Sequence, residues 1–359
     1  MYSVARHRRV MDCLAGTGVR LPRPQQRNLA MLCVALAMSS DCHLGTLALQ
    51  LPLAGRRDSL IQHLRRWLRE TPQWQRAYRP LAASLLAQWP GVELGLVMDR
   101  TDLAPGCSIL MLGAAYGKRV LPLAWRVLDM GGTGADCQIE LLEDVAPLLP
   151  SDKTITFFGD AEFRAVSVQA YCRARGWHWH VGLKSDIRIR TASGELLSLI
   201  DLPVTSTSGP VYRQNVRLTA QHDFGPVNIV ARWSKKDHWP RFWATDLPAD
   251  RDAWRRGRKR FWIEPTFRDW KSGGFDLEAS RLTDHRMTSG LVLGMAITTV
   301  WMVHLGLVVF TTSRRPLIDV PHKRDYSLFR LGRDYLRRAE AQGWPVPVDF
   351  TVHRPAPAR

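Results

Sequence analysis

The sequence lacks any cysteine pattern that would hold a metal or staple a small domain. Its six cysteines form no Cys-x-x-Cys pair and no regular framework, which argues against a zinc ribbon and a disulfide scaffold. Cys42 and His43 stand near Cys33, but a fourth ligand is missing there, so buried thiols are the better interpretation. Reduced cysteines predict a cytoplasmic protein.

Several common catalytic motifs are also missing. The chain has no G-x-x-x-x-G-K-[ST] phosphate-binding loop and no G-x-S-x-G nucleophile elbow, so P-loop nucleotide hydrolysis and serine hydrolysis are poor interpretations. The first ten residues contain three arginines with no apolar run after them, so a secretory signal is not expected.

One long stretch lacks charge altogether. Residues 291–310 contain no Asp, Glu, Lys or Arg and are long enough to cross a bilayer. Thr298, Thr299 and His304 interrupt the stretch. We therefore predict a helix that protein buries on all sides, and no membrane partner.

Acidic residues are few compared with basic ones. Fifty Lys and Arg against 33 Asp and Glu give a net charge of +17 and a pI near 10.2, which predicts a polyanion or an acidic membrane surface as partner. Only 8 of the 50 are Lys, which leaves 42 Arg, the side chain suited to bidentate phosphate contacts. A genome rich in Arg codons is the alternative explanation of this ratio.

Residues 1–90 are predicted to form a helical and basic domain. A stretch from Asp58 has apolar residues at helical spacing, while Arg65, Arg66 and Arg69 form a basic stripe on the other face. Short helices with such a face suggest a helix-turn-helix-like module in which Arg65 and Arg66 contact DNA. A solvated face on a helical bundle is the alternative.

Residues 91–185 are predicted to form the first part of an α/β core. Three strands between residues 96 and 125 come first, followed by a helix, a strand at 154–158, a second helix and a strand at 178–183. This order is that of an RNase H-like mixed sheet. The fold class is therefore predicted as α/β with an RNase H-like catalytic core.

The rest of the chain is predicted to divide into three segments. A mostly β insertion covers residues 186–248, the second part of the core with the third acid covers 249–312, and a helical tail covers 313–359. Lys184, just before the insertion, is either a DNA contact or a solvated side chain.

Three carboxylates are the candidate catalytic residues. Asp99 and Asp160 end two strands that are neighbours in an RNase H-like sheet, and Glu264 supplies the third acid. Three such carboxylates bind two Mg²⁺ ions about 3.5 to 4 Å apart, which activate an attacking oxygen at phosphorus, and Mn²⁺ is expected to substitute. Asp102 and Glu162 are expected to point elsewhere.

The residues around Glu264 resemble a family signature. DDE transposases of bacterial insertion sequences, in the cut-and-paste group with a β insertion, carry Tyr, two residues, Arg, three residues, Glu, six residues and Lys. Arg260, Glu264 and Lys271 stand at these positions with the same gaps, whereas Gly257 replaces the Tyr. The similarity covers nearly the whole chain, including the segment around Asp99.

Pro265 leaves two arrangements open for this segment. A kinked helix would keep Arg260, Glu264 and Lys271 near one face, whereas a helix that starts there would put Arg260 on the preceding segment. Pairing of Arg260 with Glu264 on a solvated surface is the non-catalytic alternative.

The resemblance implies a DNA transposase. Water activated by metal would cut a strand at an element end, and the freed 3′-hydroxyl would attack next, often forming a hairpin. Arg260 and Lys271 would hold phosphates near the cut, and Trp233, Trp239 or Trp243 would stack on a flipped base. Double-stranded DNA is then the partner, a homodimer is the synaptic species, and the protein is expected on the nucleoid.

Two other functions stay open on the sequence alone. One is a structure-directed nuclease with the same sheet and metals, and the other is a non-catalytic DNA-binding relative of transposases. All three explain the net charge of +17, but only the two enzymes need Asp99, Asp160 and Glu264 together.

Overall fold

A mixed β-sheet runs through the computed structural model, which describes residues 2–19, 21–70, 74–104, 106–219, 221–320, 322 and 325–352. Strands β1 (Glu93–Leu103), β2 (Cys107–Tyr116) and β3 (Arg119–Asp129) form an antiparallel meander. Strand β4 (Thr154–Gly159) lies parallel to β1, and β5 (His178–Leu183) lies parallel to β4.

The spatial order of these five strands is β3-β2-β1-β4-β5. Helices α6 (Ala135–Val145) and α7 (Val166–Ala174) make the crossovers that parallel neighbours require. The predicted order of three strands, helix, strand, helix and strand is confirmed, and this half of the sheet is RNase H-like. Its strands are buried on both faces near the centre, because helices cover both sides.

The insertion extends the same sheet rather than starting a separate one. Its five strands are β6 (Arg188–Arg190), β7 (Leu196–Ser198), β8 (Val211–Leu218), β9 (Phe224–Arg232) and β10 (Arg241–Thr245). Strand β10 pairs antiparallel with β5, so the sheet continues as β5-β10-β9-β8-β6-β7. The insertion therefore begins at the edge of the core beside β5.

In the described part of the chain, five helices precede the sheet: α1 (Tyr2–Gly16), α2 (Arg23–Met38), α3 (Leu44–Ala48), α4 (Arg57–Glu70) and α5 (Trp74–Ala87). Helix α4 has the amphipathic pattern predicted for it. It buries Leu64, Trp67 and Leu68, while Arg65 and Arg66 are exposed. The apolar face holds the helix on the protein because it removes those side chains from water.

Helix α10 (His285–Thr311) is the central apolar element. It is long and apolar enough to cross a membrane, and 89% of its most apolar window is buried inside the protein. This confirms the predicted helix that protein buries. Helix α11 (Leu328–Gln342) crosses it so closely that a Cβ on Gly332 would lie 1.9 Å from the carbonyl oxygen of Met302.

Three short elements follow the insertion, and a 3₁₀ segment, Leu277–Ser280, then leads to α10. Helix α8 (Arg251–Gly257) is followed by a 3₁₀ segment, Arg258–Trp262, and then by α9 (Ile263–Lys271). The hydroxyl oxygen of Thr266 on α9 accepts a hydrogen bond from the backbone N–H of Val120 at 2.9 Å, which fastens α9 to β3.

Candidate active site

Two of the predicted acids lie side by side because of the strand register. Val97 of β1 is the partner of Phe158 of β4 in the parallel ladder, so Asp99 and Asp160 each lie two residues further along. Parallel strands run in one direction, and the two side chains therefore emerge at the same edge of the sheet.

Local backbone bonds fix both aspartates. The Oδ1 atom of Asp99 accepts a hydrogen bond from the backbone N–H of Arg100 at 2.8 Å, and Oδ1 of Asp160 accepts one from the N–H of Glu162 at 2.8 Å. Strand β5 passes close to the Asp160 turn, since a Cβ on Gly182 would lie 2.8 Å from the backbone nitrogen of Ala161. Glycine at 182 permits this approach.

Helix α9 presents the third acid. Glu264 and Pro265 stand in its first turn, where a missing N–H costs nothing because the first donors of a helix have no intrahelical partner. The helix therefore starts at Ile263 with Pro265 in its first turn, and Arg260 lies on the preceding 3₁₀ segment. Ile263, Phe267 and neighbouring apolar residues face the core, which leaves Glu264 on the open side.

Arg260 joins the three acids. Its Nη1 atom lies 2.6 Å from Oε1 of Glu264, and its Nη2 atom lies 3.2 Å from Oδ2 of Asp160 and 3.7 Å from Oδ2 of Asp99. The Arg260 side chain is 13% exposed. A solvated Arg260–Glu264 pair does not describe this arrangement, because the guanidinium is largely buried and contacts all three carboxylates.

The electrostatic balance of the site favours a further cation. Burial raises the pKa of Asp99 to about 7, and the negative charges of Asp160 and Glu264 raise it too. Arg260 and the N–H of Arg100 act in the opposite direction. One guanidinium thus faces three carboxylates and does not fully compensate them.

The donor set fits a hard divalent cation in its chemistry. Carboxylate oxygens are the protein ligands that Mg²⁺ prefers. No group of three or more His, Cys, Asp or Glu side chains in the described part of the chain is arranged to hold a metal as it stands. At Asp99, Asp160 and Glu264 the guanidinium of Arg260 occupies the place where such a cation would meet the acids.

Other charged residues near the acids bind elsewhere. Arg100 pairs with Asp102 at 2.7 Å and with Glu162 at 3.3 Å, and Glu162 also accepts a hydrogen bond from the Thr133 hydroxyl at 2.8 Å. Lys271 donates to the backbone oxygen of Asp102 and pairs with Glu278. Lys271 therefore stands beside the acids without contacting them.

The remaining sequence-predicted DNA contacts lie on the surface. Arg65, Arg66 and Lys184 are exposed, and Trp239 is 76% exposed. Trp233 is half-buried and donates its indole N–H to the carbonyl oxygen of Asp237.

Trp243 differs from the other two insertion tryptophans. It is 4% exposed and packs edge-on against Trp254 with ring centroids 4.8 Å apart. Its faces are covered by the protein, so the hypothesis that Trp243 stacks on a flipped base is wrong. The physical reason is burial of strand β10, on which it lies.

Sequence reasoning missed a basic groove next to the acids. The groove has a volume of about 880 Å³ and lies between the insertion strands and the segment that precedes α9. Asp237 is the single acid among its described lining residues. Seven cations line it: Lys118, Arg119, Arg232, Lys236, Arg241, Arg255 and Arg258. The run of five cations from Arg255 to Arg260 was the signal that could have revealed it.

Aromatic rings hold several of these arginines in place. The guanidinium of Arg232 lies over the ring of Trp254 at 4.7 Å, and that of Arg241 lies over Phe261 at 5.1 Å. Arg260 contacts the same Phe261 ring at 4.9 Å. Phe261 therefore links the groove to the three acids, and its contacts with the arginines are cation–π interactions.

The structure explains why glycine replaces the signature Tyr. A Cβ on Gly257 would lie 2.0 Å from Nε2 of His180. The imidazole fills the space beside Gly257 and is fully buried, and burial lowers its pKa to about 3. Its Nε2 atom has no hydrogen-bond partner among the described residues.

Comparison with protein-family models identifies the family of this chain. The family model of the transposase DDE domain matches residues 122–301, half of the chain. The chain belongs to this family. The matched range of the transposase domain contains Asp160 and Glu264, while Asp99 precedes it.

One solved structure is similar to this transposase-family chain over most of its length. It is the cryo-EM structure of the piggyBac transposase synaptic complex with hairpin DNA, which has 12% sequence identity and a TM-score of 0.45. The similarity covers 96% of this chain and 84% of that chain. No curated protein matches the sequence.

Proposed function

We propose that this transposase-family protein is the DNA transposase of an insertion sequence. It cuts DNA strands at the element ends and joins the freed ends to target DNA. The observation that carries the proposal is the convergence of Asp99, Asp160 and Glu264 on one point, although they come from two strands and a helix. A site that gathers three acids at the edge of a basic groove suits a phosphodiester substrate.

Asp99, Asp160 and Glu264 would hold two Mg²⁺ ions, and Mn²⁺ would substitute. When bound, such ions lower the pKa of the attacking water and neutralise charge at the phosphorus. Asp99 and Asp160 keep their orientation because a backbone N–H occupies one oxygen of each carboxylate.

The groove cations would bind the DNA backbone that leads to the acids. Lys118, Arg232, Lys236 and Arg258 form no ion pair with a described carboxylate, so they are available for phosphate. Strand cleavage frees a 3′-hydroxyl, which would attack the opposite strand to give a hairpin end before insertion into target DNA. A homodimer bound to two ends, on the nucleoid, would carry out the joining.

The regions outside the core would supply further DNA contacts. The exposed Arg65 and Arg66 on α4 suit the backbone of the element end, as do Lys184 and Lys271 nearer the acids. Trp239 has the exposure that stacking on an unpaired base requires. In this proposal the helical region and the insertion bind DNA, and the core carries the acids that cut it.

The test is strand cleavage of a labelled duplex that carries the sequence flanking the gene, in Mg²⁺ or Mn²⁺. Wild type is compared with Glu264→Gln and with Glu143→Gln, a control on an exposed carboxylate of α6. We expect a nick followed by a hairpin or joined product. Glu264→Gln should reduce cleavage more than about 100-fold, since removing even a supporting metal contact costs 10 to 100-fold, and Glu143→Gln should not.

Other outcomes separate the competing functions. A nick without any joined product would favour the structure-directed nuclease. DNA binding without cleavage by wild type would favour the non-catalytic relative, and would leave Asp99 and Asp160 needing another explanation. Equal loss of activity in both variants would show that the effect of Glu264→Gln is not specific to the acid cluster.

A further inference from the structure

Among the described residues, Arg260 is the one cation that contacts all three acids of the proposed site. Its guanidinium is 13% exposed and lies within 3.7 Å of Asp99, Asp160 and Glu264. Its Nε atom is buried and has no hydrogen-bond partner in the described part of the chain. A guanidinium is always charged in proteins, so it leaves the acids only by moving and not by losing a proton.

The carboxylate oxygens that face Arg260 are the ones a metal would need. Oδ1 of Asp99 and Oδ1 of Asp160 each accept a backbone N–H. The other oxygen of each aspartate, Oδ2, faces the guanidinium. A divalent cation and Arg260 would therefore compete for the same two oxygens and for Oε1 of Glu264.

The position of Arg260 also gives its side chain an alternative partner. Its guanidinium lies over one ring, Phe261, which also carries Arg241 of the basic groove. A DNA phosphate at this end of the groove would lie next to the guanidinium. Arg binds phosphate with two parallel hydrogen bonds, which would take the place of its ion pairs with the acids.

We propose that Arg260 is the resident counter-cation of the three acids in the absence of DNA, and that DNA phosphate draws it away so that metal can bind. Metal loading is then coupled to DNA binding. The coupling to DNA rests on the proposed function, whereas the competition between Arg260 and metal does not. By linkage, DNA increases metal affinity by the same factor as metal increases DNA affinity, and such couplings are about 5 to 150-fold.

The arrangement has a functional consequence. In protein that is not bound to DNA, the three acids would stay paired with Arg260 and would bind metal weakly. Such protein would not be ready for cleavage. Arg260 is in this sense a positioning residue that regulates the site, in addition to any contact it makes with phosphate.

The test is Mn²⁺ binding measured by electron paramagnetic resonance, which detects free Mn²⁺ and requires no activity. Wild type is titrated with Mn²⁺ at constant salt, alone and with a short duplex DNA, and the Mn²⁺ bound by DNA alone is subtracted. The variants are Arg260→Gln and Arg241→Gln. Arg241→Gln is the matched control, because Arg241 lies over the same Phe261 ring as Arg260. Arg241 pairs with Asp237 and does not contact the acids.

We expect DNA to tighten Mn²⁺ binding to wild type at least about 5-fold. Arg260→Gln should bind Mn²⁺ more tightly than wild type without DNA, by about 10-fold on the same scale, and DNA should add little. Arg241→Gln should bind Mn²⁺ like wild type without DNA, because Arg241 does not contact the acids. If Arg260→Gln fails to fold, the comparison of Mn²⁺ binding by wild type with and without DNA still tests the proposal.

Two results would overturn the inference. Equal or weaker Mn²⁺ binding by Arg260→Gln without DNA would show that the guanidinium does not compete with metal. The same Mn²⁺ affinity of wild type with and without DNA would show that the two are not coupled. Failure of the proposed function looks different, since Mn²⁺ binding would follow the expected pattern while the cleavage assay yields no product.

Discussion

The contact between Gly257 and His180 predicts a large effect from a single methyl group. Gly257→Ala would place a Cβ 2.0 Å from Nε2 of a fully buried ring. That ring packs between Phe158 and Trp243, with ring centroids about 6 Å away on either side. The imidazole therefore has little room to shift, and the helix must move or the ring must leave its rotamer.

The expected cost follows from overpacking. Forcing an extra carbon into a packed interior costs about 1–3 kcal/mol, while replacing a helical Gly by Ala returns up to about 1 kcal/mol. A Cβ 2.0 Å from a confined ring is a severe clash and should cost about 2–3 kcal/mol, so the free energy of unfolding of Gly257→Ala should fall by about 1–2 kcal/mol. Tyr at this position, the family residue, should be worse still, because its ring must occupy the space that His180 fills.

A double-mutant cycle isolates the contact. His180→Ala alone leaves a cavity and should destabilise the protein by about 2 kcal/mol or more. In that background Gly257→Ala should be neutral or slightly stabilising, since the obstructing ring is gone. The coupling energy between the two positions should be about 1–3 kcal/mol.

The measurement is urea unfolding followed by tryptophan fluorescence, with Gly16→Ala as the matched control. Gly16 is also the last residue of a helix, and a Cβ there meets nothing within 4 Å. The control should leave stability unchanged or slightly raised. A Gly257→Ala protein within about 0.5 kcal/mol of wild type, or an equal loss in both His180 backgrounds, would refute the reasoning.

Two further predictions concern buried charge. Lowering the pH from about 7.5 to about 5 should shrink the stability advantage of wild type over His180→Ala by about 2 kcal/mol, measured by urea unfolding at both pH values. Burial lowers the pKa of His180 to about 3, so its stabilising contribution is present above about pH 6.5 and is lost as the pH falls towards 3; a constant advantage would contradict this. Asp269→Ala should cost about 3 kcal/mol, because it leaves the guanidinium of Arg119, 2.5 Å away and 16% exposed, without its partner. Asp144→Ala, which breaks a more exposed pair with Arg126, should change the free energy of unfolding by less than about 1 kcal/mol, and similar losses in both variants would refute the distinction.

Local pattern was enough to predict the core strands and helices. The run of apolar residues in β4 and the alternation of strand, helix and strand up to β5 depend on neighbours in sequence, and so does the amphipathic face of α4. Asp99 and Asp160 could be paired from the sequence because an RNase H-like strand order makes β1 and β4 neighbours. The prediction that Asp99 ends its strand was wrong, because pairing with β2 continues β1 to Leu103. The spacing of Arg260, Glu264 and Lys271 pointed to the family from the sequence alone, because a signature consists of residue types and the gaps between them.

Contacts between distant segments decided the rest. Nothing in the spacing shows that Arg260 reaches Asp99 and Asp160, since those distances depend on how α9 is fastened to β3. The sequence left the effect of Pro265 open, and the packing of α9 resolved it. The groove combines Lys118 of a core turn with Arg232 and Arg241 of the insertion.

The glycine at the signature Tyr position shows most directly what the sequence determines and what the packing determines. The sequence by itself determined that Gly257 departs from the family pattern, because that is a matter of residue identity and gap length. Only the tertiary structure decided what the departure means, because strand β5 brings His180 against Gly257 from 77 positions away in the chain. Residue pattern determines which elements form, whereas the close packing of those elements determines which atoms compete for one space.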